Sequence, residues 1–189
     1  MGDVAFLTRR GGWPKAVGQP REFALQQAPD YVDAVVEFDI SRVDGVRRDF
    51  ERVCMLMRSY ARMTASQGSY ETMLRDVAKS GLSFGRTSFL EYVAALKRLF
   101  VTDDLGAWNP NLRAKEDIRT SPTRHFVDPS IATAALGAGL GDLMGDLNTF
   151  GLVFKNLCVS SQSEYDVKIC VVFASEASYD PSRMRGGRS

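Results

Sequence analysis

The stretch that decides the fold runs from Tyr92 to Gly137, YVAALKRLFVTDDLGAWNPNLRAKEDIRTSPTRHFVDPSIATAALG, with DLNTFGLVF following at 146–154. Tyr92, Val93, Leu96, Leu99 and Phe100 recur at spacings of three and four, the inner face of a helix expected from about Thr87 to Phe100. The pattern then changes. Phe100-Val101-Thr102 and Ala107-Trp108 are β-prone and flank Asp103-Asp104-Leu105-Gly106. Ile118-Arg119-Thr120 and Arg124-His125-Phe126-Val127 flank Ser121-Pro122, so short hairpins are expected at both places. Asp128-Pro129-Ser130 reads as a helix start. A small-residue helix over 130–139 and a second helical pattern over 142–159 (Leu143, Leu147, Phe150, Phe154, Leu157) follow it.

Upstream, the segment to about Pro20 is rich in Gly, Arg and Pro and reads as loop, with Arg10-Gly11-Gly12-Trp13-Pro14 a sharp turn whose Trp covers a helix end. Residues 21–40 have helical spacing, interrupted near Pro29, with the stronger part from Asp30. Asp49 is a suitable N-cap for a helix to about Met63. Tyr70 to about Lys79 forms another, and the turn 80–85 leads into the helix that ends at Phe100. Helix, Gly-containing turn, helix, then hairpins is the outline of a winged helix. Leu96 is placed on the inner face and Ala95 off it, so only Leu96→Asp should be severe. Val167 to Phe173 could form one strand, and the last sixteen residues have the composition of a disordered tail.

Composition narrows the function. The chain carries 24 Lys and Arg against 23 Asp and Glu, a net charge of +1, so no global field draws it to nucleic acid or an anionic membrane. Cys54, Cys158 and Cys170 have no CxxC spacing, which suits a reducing cytoplasm rather than a disulfide framework. Nothing resembles a signal peptide or a membrane span, and the expected localisation is cytoplasmic. There is no GxxxxGK[ST] phosphate loop. Gly137-Ala138-Gly139-Leu140-Gly141 has the wrong spacing for a dinucleotide loop and reads as a helix end. His125 has neither nucleophile nor acid beside it in any known motif and reads as structural. Asp142 and Asp146 read as solvated helix charge. No cofactor, metal or enzymatic activity is expected.

Nucleic-acid contact is the remaining candidate chemistry. Arg86, Lys97 and Arg98 lie in or beside the expected recognition helix, and Arg113, Lys115, Arg119 and Arg124 in the expected wing. Cations on one edge could meet phosphates, giving weak, salt-sensitive affinity. Glu91, Glu116 and Asp117 interrupt them, and no pair suited to reading bases stands out.

Several separated segments resemble, in order, a family of bacterial and archaeal AAA ATPases whose motor is followed by a winged-helix-like segment and a C-terminal domain of unknown function, number 4143. Those segments are Arg10-Gly11-Gly12-Trp13-Pro14, Asp30 to Ala34, Asp39 to Asp44, residues 87–101 and, most specifically, Phe126-Val127-Asp128-Pro129-Ser130-Ile131-Ala132. The resemblance implies a nuclease-like C-terminal domain, but Lys155 follows Thr149 to Phe154 where the family carries an acid, and the metal-holding carboxylates do not appear. The resulting expectation is a mainly α chain with short β hairpins: a helical connector (1–62), a winged-helix-like module (63–118) and a truncated α/β, nuclease-like stub (119–189). Its expected function is that of a non-catalytic fragment of an AAA-type ATP-binding protein, contacting DNA weakly, a motor domain or another protein. The alternative is a stand-alone winged-helix DNA-binding protein.

Overall fold

A computed structural model describes residues 1–106 and 121–160. The helices in chain order are α1 (Gly2–Arg10), α2 (Arg21–Ala34), α3 (Ile40–Arg42), α4 (Phe50–Arg62), α5 (Tyr70–Lys79), α6 (Arg86–Arg98), α7 (Pro129–Leu136), α8 (Leu140–Gly145) and α9 (Leu147–Ser160). A 3₁₀ turn lies at Pro14–Ala16 and a widened π turn at Val35–Asp39. The expected strand at 167–173 and the tail lie outside the described residues, as do Ala107-Trp108 and 118–120.

Local chemistry sets most of these boundaries. The Asp49 carboxylate accepts from Arg52 N and the Ser69 hydroxyl from Thr72 N, so both N-caps supply an acceptor to an otherwise orphaned donor. Asp128 caps α7 by accepting from Ser130 N, with Pro129 at the first helical position. Gly137 ends that helix with φ +69°, and Ala138 N reaches back to Thr133 O at 3.0 Å. The Gly-rich run 137–141 therefore ends α7 at Gly137 and starts α8, with Gly139 at its N-cap.

The core joins α4, α5, α6 and α7 around Val53, Leu56, Met57, Tyr60, Met73, Phe89, Leu96, Phe126 and Ile131. Burying each such large apolar side chain is worth roughly 1.5–3 kcal/mol. The T-shaped Tyr60–Phe126 pair, with centroids 5.4 Å apart, ties α4 to the segment before α7. α7 packs on α4, α2 and α1. One cluster thus draws side chains from all three expected regions.

Four expectations need correction. Residues 2–10 are helical rather than loop, because Ala5 and Thr8 bury against the later helices and add tertiary contact to a weak local preference. α2 runs through Pro29, whose fixed φ fits the helix and removes only one hydrogen bond, while Ala24 and Ala28 bury on the same face. Neither short hairpin occurs among the described residues, which contain isolated bridges instead of a sheet. Thr102 pairs with Phe126, Leu105 with Thr123, and Thr64 with Arg124. Residues 102–105 and 123–126 meet each other over a long sequence separation, while the expected hairpin partners Ala107-Trp108 and 118–120 lie outside the described residues. Over 128–160 the expected α/β stub is three helices, α7 on the shared core and α8 and α9 on a small second cluster with Ala5, with no nuclease-like strands among them. A fifth correction concerns α6, where Ala95 is as buried as Leu96. Its small side chain gave no periodicity signal, but a charge there would meet the same interior.

Candidate functional site

The described charges converge on Asp104. It sits just past the turn that ends α6, where Val101 N donates to Leu96 O and Phe100 N to Lys97 O, with Phe100 in the left-handed region at φ 55°. The Asp104 side chain is 5% exposed and that of Arg124 4%, and Arg124 Nη1 lies 2.5 Å from Asp104 Oδ2. Lys97 Nζ lies 2.7 Å from the same oxygen. The Tyr60 hydroxyl donates to Oδ1. Arg124 also donates through Nε to Gly68 O at 2.9 Å and lies over the Tyr70 ring, 4.1 Å from its centroid.

Burial alone would push the Asp104 carboxyl up. Hydrogen bonds from Lys97 and Tyr60, with the charges of Arg124 and Lys97, instead hold it below the usual carboxylate range. Burial and then the bond to Asp104 push the Tyr60 hydroxyl far up, so it remains a donor. Burial lowers Lys97, but its bonds to Asp104 and Tyr70 outweigh that and leave it raised. The arrangement is a satisfied ionic hub that pins the 101–105 and 123–127 segments to α4 and α6.

The other described candidate cations also meet partners. Arg86 pairs with Glu71 across the turn between α5 and α6. Arg98 donates to Val43 O at 3.0 Å and lies 3.8 Å from Asp44. Asp44 is held by Arg48 through two contacts of 2.7 Å, and Arg48 Nη1 also donates to Ile40 O at 2.6 Å. Arg124, expected in an exposed wing, is buried instead, because Asp104 and the Tyr70 ring offer it a partner inside. Arg113, Lys115 and Arg119 lie outside the described residues, as do Glu116, Asp117 and Cys170.

His125 is buried beside α9. Its Nδ1 lies 3.0 Å from Asn156 Oδ1, which also accepts from Phe126 N at 3.0 Å, while Asn156 Nδ2 donates to Phe126 O at 3.0 Å. Asp142 accepts from Gly139 N and Asp146 from Asn148 N and Thr149 N, so each caps its own helix. The Thr149 hydroxyl and backbone hold the Asp146 carboxyl below its usual range. Among the described residues no group of three His, Cys, Asp or Glu is placed to hold a metal ion. No described helix is long and apolar enough to cross a membrane. Sequence reasoning missed Asp104 and Asn156. The first drew no attention as half of a loop Asp-Asp pair, and the second is one amide in an apolar helix.

Fold and network define a mainly helical protein stapled by a buried ionic hub. The chain belongs to the family described as Domain of unknown function (DUF8612), which matches residues 1–141. That family overturns membership of the AAA ATPases: the Arg10–Pro14 and Phe126–Ala132 segments that carried the resemblance fall inside the match to a different domain. Short Gly-Trp-Pro and Asp-Pro-Ser motifs serve turns and helix caps in many folds, so they resemble without implying kinship. No curated protein and no solved structure matches the chain.

Proposed function

We propose that the chain is a non-catalytic module of winged-helix type that contacts a protein partner rather than nucleic acid. The order α4, α5, α6 and then two paired segments supports the architectural part. The segment 123–127 pairs on one side with 101–105, through Asp103 N to His125 O at 2.8 Å and Leu105 N to Thr123 O at 2.9 Å. On its other side Ala65 N donates to Arg124 O at 2.7 Å and Arg124 N to Ser66 O at 2.9 Å, bringing in the connection between the first two helices.

The observation that carries the functional part is the pairing of every described candidate cation with an acid of the fold: Arg86 with Glu71, Lys97 and Arg124 with Asp104, Arg98 with Asp44. A phosphate-binding face gains affinity by releasing counterions from DNA onto free cations. A face whose cations already have counter-charges gains little. The solvent side of α6 also carries Leu90, and Phe100, two residues past its end, is 76% exposed. Exposed aromatic and aliphatic side chains among paired charges suit contact with protein. The test is titration of the full chain with labelled duplex and single-stranded DNA at low salt. No saturable binding is expected, and salt-sensitive binding would overturn the reading.

A further inference from the structure

The Asn156 carboxamide stands where a neighbouring peptide group would stand. Phe126 N and O point away from the 101–105 segment and toward the side on which Arg124 pairs with Ala65 and Ser66. Asn156 satisfies both, Oδ1 accepting from Phe126 N and Nδ2 donating to Phe126 O. This fixes the amide orientation, and with Oδ1 as acceptor His125 Nδ1 must carry the hydrogen it donates. The neutral imidazole therefore has a bare Nε2. That atom is buried without a hydrogen-bond partner among the described residues, and the residue is 3% exposed.

We propose that His125 and Asn156 form an acid-sensitive latch, which holds α9 against residues 125–126 while the imidazole is neutral and lets α9 go when it becomes imidazolium. Protonation would add an Nε2–H with no acceptor and a charge in a nearly water-free place, and both penalties vanish once α9 lifts and water enters. The surrounding charges do not offset this. Lys155 of α9, whose Nζ donates to Ala65 O at 3.3 Å, opposes a second positive charge. Asp103 and Asp104 on the facing segment favour it, but Asp104 is already engaged by Arg124, Lys97 and Tyr60. Burial is the largest influence on His125 and lowers its proton affinity, with the Asn156 bond opposing in part. α9 is also the element able to yield. Its apolar anchorage is Val153 and Phe150, the latter in a small cluster with Ala5 and Leu143, separate from the main core.

The sign follows from linkage. A histidine whose folded-state proton affinity is depressed stabilises the closed form fully above the ordinary value of about 6.5, and that contribution is lost as pH falls from there through the folded value. Loss of one proton's worth of linkage changes the opening equilibrium by up to about tenfold per pH unit within that window.

His125 is the single histidine of the chain, which makes the test direct. Its ring resonances are titrated by NMR on the full chain, alongside amide exchange corrected for intrinsic rate. Expected is a midpoint below about 6.5, with 147–160 losing protection over the same range while α4 and α6 keep theirs. Asn156→Ala should free α9 at neutral pH and raise the His125 midpoint, and His125→Gln should make α9 protection independent of pH. The proposal is overturned if α9 stays protected while His125 titrates, or if His125 stays neutral and α9 protected down to acid pH. It is equally overturned if α4 and α6 open at the same midpoint, if Asn156→Ala leaves α9 protected, or if a folded His125→Gln keeps the wild-type dependence. Should His125→Gln fail to fold, the coincidence or divergence of the two wild-type curves decides alone.

Discussion

The Trp13 indole donates to the Ser130 hydroxyl at 2.8 Å, fastening the first turn of the chain to the start of α7, 117 residues later. The contact is part of a larger joint. Asp128 accepts from Gly12 N at 2.7 Å as well as capping α7, and Trp13 packs on Tyr31 with centroids 4.9 Å apart. Two motifs read separately as a turn and a helix start are the two halves of one lock.

Gly11 should therefore be intolerant of a side chain. Its φ is +72°, and a Cβ there would stand 2.3 Å from both Asp128 Oδ1 and Ser130 Oγ. Gly18 has nearly the same φ, +71°, with nothing within 4 Å. Gly18→Ala should cost about 1 kcal/mol of backbone strain. Gly11→Ala should cost at least about 1 kcal/mol more, because the lock must move as well. Denaturant midpoints of the two variants check the difference.

Removing the Asp104 carboxylate should be severe. Asp104→Ala leaves Arg124 buried without its counter-ion, a loss of about 3–5 kcal/mol. Because Asp104 is held below the usual carboxylate range, its contribution is present above about pH 3.9 and lost as pH falls through its folded value. Urea unfolding of wild type and variant at neutral and acid pH should show the gap between them narrowing in acid.

Ala95→Asp and Leu96→Asp should both unfold the module or cost several kcal/mol, since each places an unpaired charge in the core. Thermal melts followed by circular dichroism would show it. A mild Ala95→Asp would mean that the α6 inner face is narrower than its burial indicates.

Phe100→Gly should stabilise the chain by up to about 1 kcal/mol. The residue sits at φ 55° with its ring largely in water, so glycine relieves backbone strain and gives up little packing. A raised melting temperature is expected. A clear loss would show that the Phe100 ring packs on the fold more than its exposure suggests.

Much of the helical framework was legible because its signals are local. Asp49, Asp128-Pro129 and the spacing of Val53, Met57 and Tyr60 need only a few neighbouring residues to be read. The hub was not legible, because Arg124 and Asp104 stand 20 residues apart and charge alone cannot tell a buried pair from a solvent-facing wing. The same holds for Asn156, whose role depends on the backbone of a residue 30 positions away. Helix α1 was hidden by its Gly and Arg content, since what stabilises it comes from elements later in the chain.

On the proposed reading, the described candidate cations serve the fold and its charge balance instead of phosphates. The most direct measurement is a fluorescence anisotropy titration of labelled duplex DNA at low salt, with wild type beside an Arg86→Ala/Arg98→Ala variant that leaves the Asp104 hub intact. Neither protein should show saturable binding, and the two curves should be indistinguishable. Saturable wild-type binding that weakens steeply with salt and is lost in the variant would contradict this reading.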